Sequence, residues 1–111
     1  LIAIHPLMNE LRNSPRFMRP EDLAVLRQLT DDIYQDFTSR LNSRFTNLTD
    51  VDIQLCILIK LDFSISQIAI LTAISPTSVS QQKSRTKKRI QQQEPDSFAE
   101  GETLDLWLRK F

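Results

Sequence analysis

One glycine, one cysteine, one histidine, one tryptophan and one tyrosine are all that 111 residues contain of these types. The single glycine, Gly101, leaves no glycine-rich loop to cradle a phosphate. His5 and Cys56 each stand alone, so no His, Cys, Asp and Glu group has metal-ligand spacing and no nucleophile sits beside a base. These absences argue against an enzyme, and neither a cofactor nor a metal is expected. Cys56 lies inside the apolar run from Ile53 to Leu61 and reads as a packed core thiol. A lone cysteine cannot build a disulfide framework, which fits a reducing cytosol. No apolar stretch approaches the roughly 18 residues of a membrane span, and no signal peptide is seen. A cytoplasmic location without membrane contact is expected. The chain starts at Leu1 rather than Met, so it reads as part of a larger protein that could be membrane-anchored upstream.

Net charge is also lacking, with 14 basic and 14 acidic residues. The sum hides a segregation. Lys83, Arg85, Lys87, Lys88 and Arg89 sit together, and Glu94, Asp96, Glu100, Glu102 and Asp105 follow them. Segregated charge is a stronger sign of a partner than the total.

What remains is mostly helix. β-branched residues do not alternate with polar ones over any long run, and 41% of the chain is apolar, enough for one small core. Residues 1–19 read as a linker or short helix, with Pro6 at its start and Leu7, Met8 and Leu11 on one face. Pro20, Glu21 and Asp22 suit a helix start. From there to about Arg44 the pattern predicts one long helix, with Leu23, Leu26, Leu29 or Thr30, Ile33, Phe37 and Leu41 in a single stripe. This stripe packs on the core or forms a dimer seam. Thr49 and Asp52 predict a capping box for a helix over Asp50 to Leu61, in which Val51, Leu55, Leu58 and Ile59 face inward. Ser64 and Gln67 predict a second box for Ile65 to Thr72, with Ile68, Ala69 and Leu71 buried. Ser75 and Pro76 start a third helix running to about Gln92. Its apolar stripe is thin (Val79, Thr86 and Ile90) and its flanks are polar. Residues 94–111 read as a loop and a short docked helix capped by Thr103, with Leu104, Trp107, Leu108 and Phe111 apolar. Trp107 could equally mark a self-association surface.

The expectation is an all-α domain with a tri- or tetrahelical helix-turn-helix core, a long leading helix and a short C-terminal helix. Residues 20–93 carry the core, and no wing is foreseen. In such a layout the last core helix enters the DNA major groove.

The stretch from Leu48 to Ile90 resembles the helix-turn-helix of LuxR/GerE-type bacterial effector domains, relatives of the sigma-factor region that reads promoters. The resemblance rests on Leu48-Thr49-Asp50 with Asp52, on Ile68-Ala69, on Ser75 followed by Ser78-Val79, and on Arg89-Ile90. Leu55 to Leu61, Phe63-Ser64 and Ile74-Ser75-Pro76 look closer still to the C-terminal domains of large regulators with repeat-type sensor regions. Three positions depart from the pattern: Ser80 where Lys is frequent, Thr86 where an aliphatic residue is usual, and Asp62 where the family has Gly.

The resemblance implies a sequence-specific transcriptional regulator that binds double-stranded DNA, as a C-terminal effector domain. By family position or by reach, Ser78, Arg85, Lys87, Lys88 and Arg89 are expected at phosphates, with the helix starts at Ser64 and Ser75 adding backbone amides. Ser80, Gln81, Lys83 and Ser84 are expected at base edges, where Gln can pair with adenine and Lys with guanine. Paired half-sites imply a homodimer, through the 20–44 helix or the Trp107 segment. The competing reading is a helix-turn-helix that binds a protein such as RNA polymerase or a regulatory partner. A purely structural bundle is the third.

Overall fold

The computed structural model describes residues 5–111; the first four residues of the expected linker lie outside it. Among the described residues there are seven helices and no strand: α1 (Pro6–Asn13), α2 (Pro20–Ile33), α3 (Phe37–Arg44), α4 (Asp50–Lys60), α5 (Ile65–Thr72), α6 (Pro76–Gln93) and α7 (Leu104–Lys110). None is long and apolar enough to cross a membrane.

α4 is the hub. Ile53, Leu55, Cys56, Ile57, Leu58 and Ile59 are all buried, and α2, α3, α6 and α7 all pack on this helix. A helix that is apolar nearly all round must be surrounded, and here it is. Val51 is the exception. Expected inside, it is 52% exposed, because it stands beside an open groove whose walls include Met18, Leu55, Ile68 and Leu71.

The local start signals act as the sequence predicts. The Thr49 hydroxyl accepts from Asp52 N at 3.2 Å while the Asp52 carboxylate accepts from Thr49 N at 2.9 Å. Ser64 and Gln67 make the same reciprocal pair at 3.1 and 2.8 Å. The Ser75 hydroxyl accepts from Ser78 N at 3.1 Å, with Pro76 in the first turn. Thr103 caps α7 by accepting from Leu106 N.

The single long helix expected over residues 20–44 is broken into α2 and α3. Gln35 and Asp36 adopt left-handed backbone (φ 53° and 57°), and Asp36 N donates to Asp31 O, closing a Schellman-type end. The Asp31 carboxylate then accepts from Thr38 N at 2.7 Å and Thr38 Oγ1 at 2.6 Å, which caps the start of α3. Arg40 takes the carbonyls of Tyr34, Gln35 and Phe111. The corner turns Phe37, Leu41 and Phe45 into the core, all with no exposed surface, where a straight helix would have carried this stripe away.

α1 is docked rather than trailing. Met8 and Leu11 are fully buried, and the Arg12 guanidinium donates to Leu61 O at 2.8 Å and lies over the Phe63 ring. Met18 N donates to Leu71 O, which lays the segment after α1 along α5.

Two further left-handed residues end the core helices: Asp62 after α4 (φ 68°) and Ala73 after α5 (φ 57°). Asp62 is the position where the related pattern has glycine, and its backbone explains why. A Cβ in this conformation costs roughly 1–2 kcal/mol, while glycine loses about 0.5–1 kcal/mol more chain entropy on folding. Ala73→Gly is therefore expected to stabilise the fold by about 0.5–1 kcal/mol. Asp62→Gly should gain less, because Asp tolerates this region better than Ala. Urea midpoints of the two variants check both the sign and the order.

Candidate nucleic-acid interface

α5 and α6 pack against each other across the three-residue turn Ala73-Ile74-Ser75. Ala69, at 5% exposure, lets the two helices approach closely. Within α6, Val79, Thr86 and Ile90 are fully buried and share one face at steps of seven and four. The opposite face is exposed and holds Thr77, Ser80, Gln81, Ser84, Arg85 and Lys88. With 3.6 residues per turn, these six lie within one broad stripe centred about 180° from the buried one. No acid interrupts α6 from Pro76 to Gln93.

The structure divides the predicted residues into three groups. Ser80, Gln81 and Ser84, expected at base edges, stand on the exposed face with Arg85 and Lys88, expected at phosphates. Among the described residues no carboxylate pairs with Arg85 or Lys88. Ser64 and Ser75 sit at the starts of α5 and α6 with their oxygens engaged as caps, and the Ser75 hydroxyl donates to Ser78 Oγ at 3.0 Å. Lys83, Lys87 and Arg89 leave the exposed face for the flanks. Lys83 Nζ lies 3.0 Å from Asp105 Oδ2. Lys87 Nζ donates to the Glu102 carbonyl and sits 4.9 Å from the centre of the Phe98 ring. Arg89 Nη1 donates to both Asp52 oxygens, at 2.9 and 2.8 Å. The run of five cations is thus split into two exposed charges and three internal ties.

Those ties explain the odd residue in the stripe. Thr86 Oγ1 donates to Asp52 Oδ1 at 2.6 Å in the buried seam between α4 and α6. An aliphatic residue there would leave the Asp52 carboxylate short of a donor. Burial pushes the Asp52 carboxyl upward, but the hydrogen bonds from Thr86 and Thr49 and the Arg89 charge outweigh it and hold its pKa below the ordinary value. Asp22, fixed by Arg16 at 2.7 Å and by Arg19 N at 2.9 Å, is held well below the usual carboxylate range.

Sequence reasoning assigned Thr77 no contact, though it joins the exposed face, and missed every partner of the basic run. Asn47 adds another fastening, its Nδ2 donating to Arg89 O at 2.8 Å while its N–H donates to Gln93 Oε1. Cys56 is wholly buried, and burial pushes its thiol upward, so it stays protonated at neutral pH. Trp107 is not a free surface either: its ring lies 5.6 Å from Phe45, 5.2 Å from Phe98 and 5.1 Å from Phe111.

Comparison with protein-family models, with curated proteins and with solved structures finds no match to this chain.

Acid should weaken the fold through the two depressed carboxylates, Asp52 in the seam between α4 and α6 and Asp22 at the start of α2. In the unfolded chain an aspartate titrates near about 3.9. Asp52 and Asp22 titrate lower when folded, so their contribution is complete above about pH 5 and drains as pH falls through the folded values. Stability is expected to be flat from neutral pH to about pH 5 and to fall below pH 4. Asp52→Asn should cost about 2–3 kcal/mol at pH 7, since it leaves Arg89 and Thr86 without their charged acceptor, and should shrink the acid decline. Urea melts of both proteins between pH 3 and 8 measure this.

Proposed function

We propose that this chain is a sequence-specific, double-stranded DNA-binding effector domain of the LuxR/GerE-type helix-turn-helix class, and that it acts in transcriptional regulation. The observation that carries the reading is the outward face of α6. It presents six hydrogen-bonding side chains, two of them unpaired cations and none acidic, on a helix anchored from behind by α4 and α5. An α-helix fits the B-DNA major groove. In this reading Ser80, Gln81 and Ser84 meet base edges, Thr77 joins them, and Arg85 and Lys88 meet phosphates on either side. In this reading the exposed helix starts at Ser64 and Ser75 add backbone N–H groups to the phosphate contacts. Two chains pair on paired half-sites. Trp107 and the stripe of Leu26, Thr30, Phe37 and Leu41 are both spent in the core, so neither segment expected to pair offers a free apolar seam.

A second reading is favoured by a different observation. Phe17 and Val51 are exposed beside a groove floored by Leu55, Ile68, Leu71 and Ile74. Exposed apolar residues next to such a groove suit a protein partner, polymerase or a regulator, in place of DNA or together with it.

Fluorescence anisotropy on a random duplex across a salt series separates the two. The DNA reading expects log K to fall linearly with log salt, with a slope of about 0.9 per neutralised phosphate. Arg85→Ala with Lys88→Ala should lower that slope by about 1.8, while Gln81→Ala should flatten the preference for a selected site by roughly 1–3 kcal/mol. Folded protein with no salt-dependent binding at low ionic strength would sink the DNA reading and leave the protein-binding one.

A further inference from the structure

The acidic stretch that follows α6 does not trail into solvent. It wraps back and covers one flank of the same helix. Leu104, Trp107 and Leu108 are buried, so α7 is fixed to the core. Glu102 is folded inward at 9% exposure, accepting from Ala99 N and pairing with Lys110. Thr103 caps the next turn, which places Asp105 in the first turn of α7, where the helix dipole favours a carboxylate. From there Asp105 Oδ2 meets Lys83 Nζ at 3.0 Å; the Lys83 side chain is 17% exposed and that of Asp105 is 41% exposed. The cleft they share is lined by Lys83, Ser84, Lys87, Thr103, Leu104 and Asp105. Ser84 belongs also to the exposed face of α6.

We propose that Asp105 is an electrostatic brake on DNA affinity: it holds Lys83 on the α7 flank, outside the interface, and presents a half-exposed negative charge beside the Ser84 edge of the recognition face. This rests on the DNA-binding reading above. Lys83 is within reach of that edge by sequence position, one residue before Ser84 and three after Ser80. What keeps its ammonium away is a single carboxylate on an element that cannot move without unpacking Trp107. A DNA phosphate approaching the Ser84 edge meets Asp105 before it meets Lys83. Like charges facing each other across an interface suppress association, and a lysine that already has an anion releases no counterion from DNA.

Asp105→Asn keeps the shape and removes the charge. Measured by anisotropy on the same random duplex, it should tighten binding roughly three- to tenfold near 100 mM salt and steepen the log K against log salt slope by about 0.9, the value for one added phosphate contact. Lys83→Gln in the wild-type background should change affinity by less than about twofold, because that lysine makes no phosphate contact while Asp105 holds it. In the Asp105→Asn background the same Lys83→Gln change should abolish the gained slope. Circular dichroism and thermal midpoints confirm that each variant is folded. The brake is overturned if folded Asp105→Asn binds no more tightly than wild type, or if Lys83→Gln alone weakens wild-type binding strongly, which would place Lys83 in the interface already. Wild-type binding with either of those results overturns the brake and leaves the DNA reading standing. No binding by either wild type or Asp105→Asn overturns both, and binding gained only in Asp105→Asn supports the brake.

Discussion

The Asp52 carboxylate is the junction on which the placement of α6 depends. It accepts from Thr49 N and Thr49 Oγ1, which starts α4; from Thr86 Oγ1, which ties the middle of α6 to that start; and from Arg89 Nη1, which fixes the next turn. One side chain, 4% exposed, therefore caps one helix and sets the rotation of another. A buried charge is tolerated only when its lone pairs are filled, and here four donors fill them. Rotating α6 by one residue, about 100°, would remove both Thr86 and Arg89 from the carboxylate. The rotational setting of α6 decides which residues face outward, so the exposed stripe from Thr77 to Lys88 is a consequence of this junction as much as of the thin apolar seam.

The charge segregation of the chain acquires a different meaning once folded. Basic residues of α6 and acids that precede or follow it are brought within hydrogen-bonding distance: Asp52 on one flank, Asp105 and the Glu102 carbonyl on the other. Arg44 and Glu94 close a similar pair at the far end of α6, at 2.6 and 2.8 Å. The cations left over, Arg85 and Lys88, lie midway between the two flanks. A block of five charges in the sequence is in effect a two-charge face with three fasteners. The more exposed of these pairs contribute little to stability individually, unlike Arg89 on the buried Asp52, but each orients a long side chain that would otherwise sweep across the exposed face of α6.

What could be read from the sequence was what is local. The caps at Thr49, Ser64, Ser75 and Thr103 need only residues three positions apart, and all four form. The apolarity of α4 needs only composition. The break between α2 and α3 was not legible, because the stripe of Leu26, Thr30, Phe37 and Leu41 suits a continuous helix. The corner is decided by Asp31 reaching seven residues ahead to Thr38 and by Arg40 gathering carbonyls from the helix end and from Phe111. The division of the basic run was equally hidden, since the partners of Lys83 and Arg89 lie 22 and 37 residues away. Thr86 did carry a signal: a residue with a hydroxyl on an apolar seam demands an acceptor, although Asp52, read only as a capping-box partner, was not identified as that acceptor.

The outward face of α6 is finally defined by what covers the rest of that helix. At 18 residues, α6 is more than twice the length of α5, so its C-terminal half extends past the helix-turn-helix and needs other cover. α7 and the loop before it supply that cover through Phe98, Trp107 and Phe111, whose rings stack at 5.1 to 5.2 Å. Lys87 lies over Phe98, its stem spent on the aromatic wall. Cover on one flank by α7 and on the other by α4 and the Asn47 loop leaves a single strip of α6 uncovered along its length. That strip starts at the capped, electropositive end of the helix and runs through Lys88 to Gln92, which is exposed on the same face. The cover on both flanks, as much as the sequence of α6 itself, thus decides which of its side chains stay open.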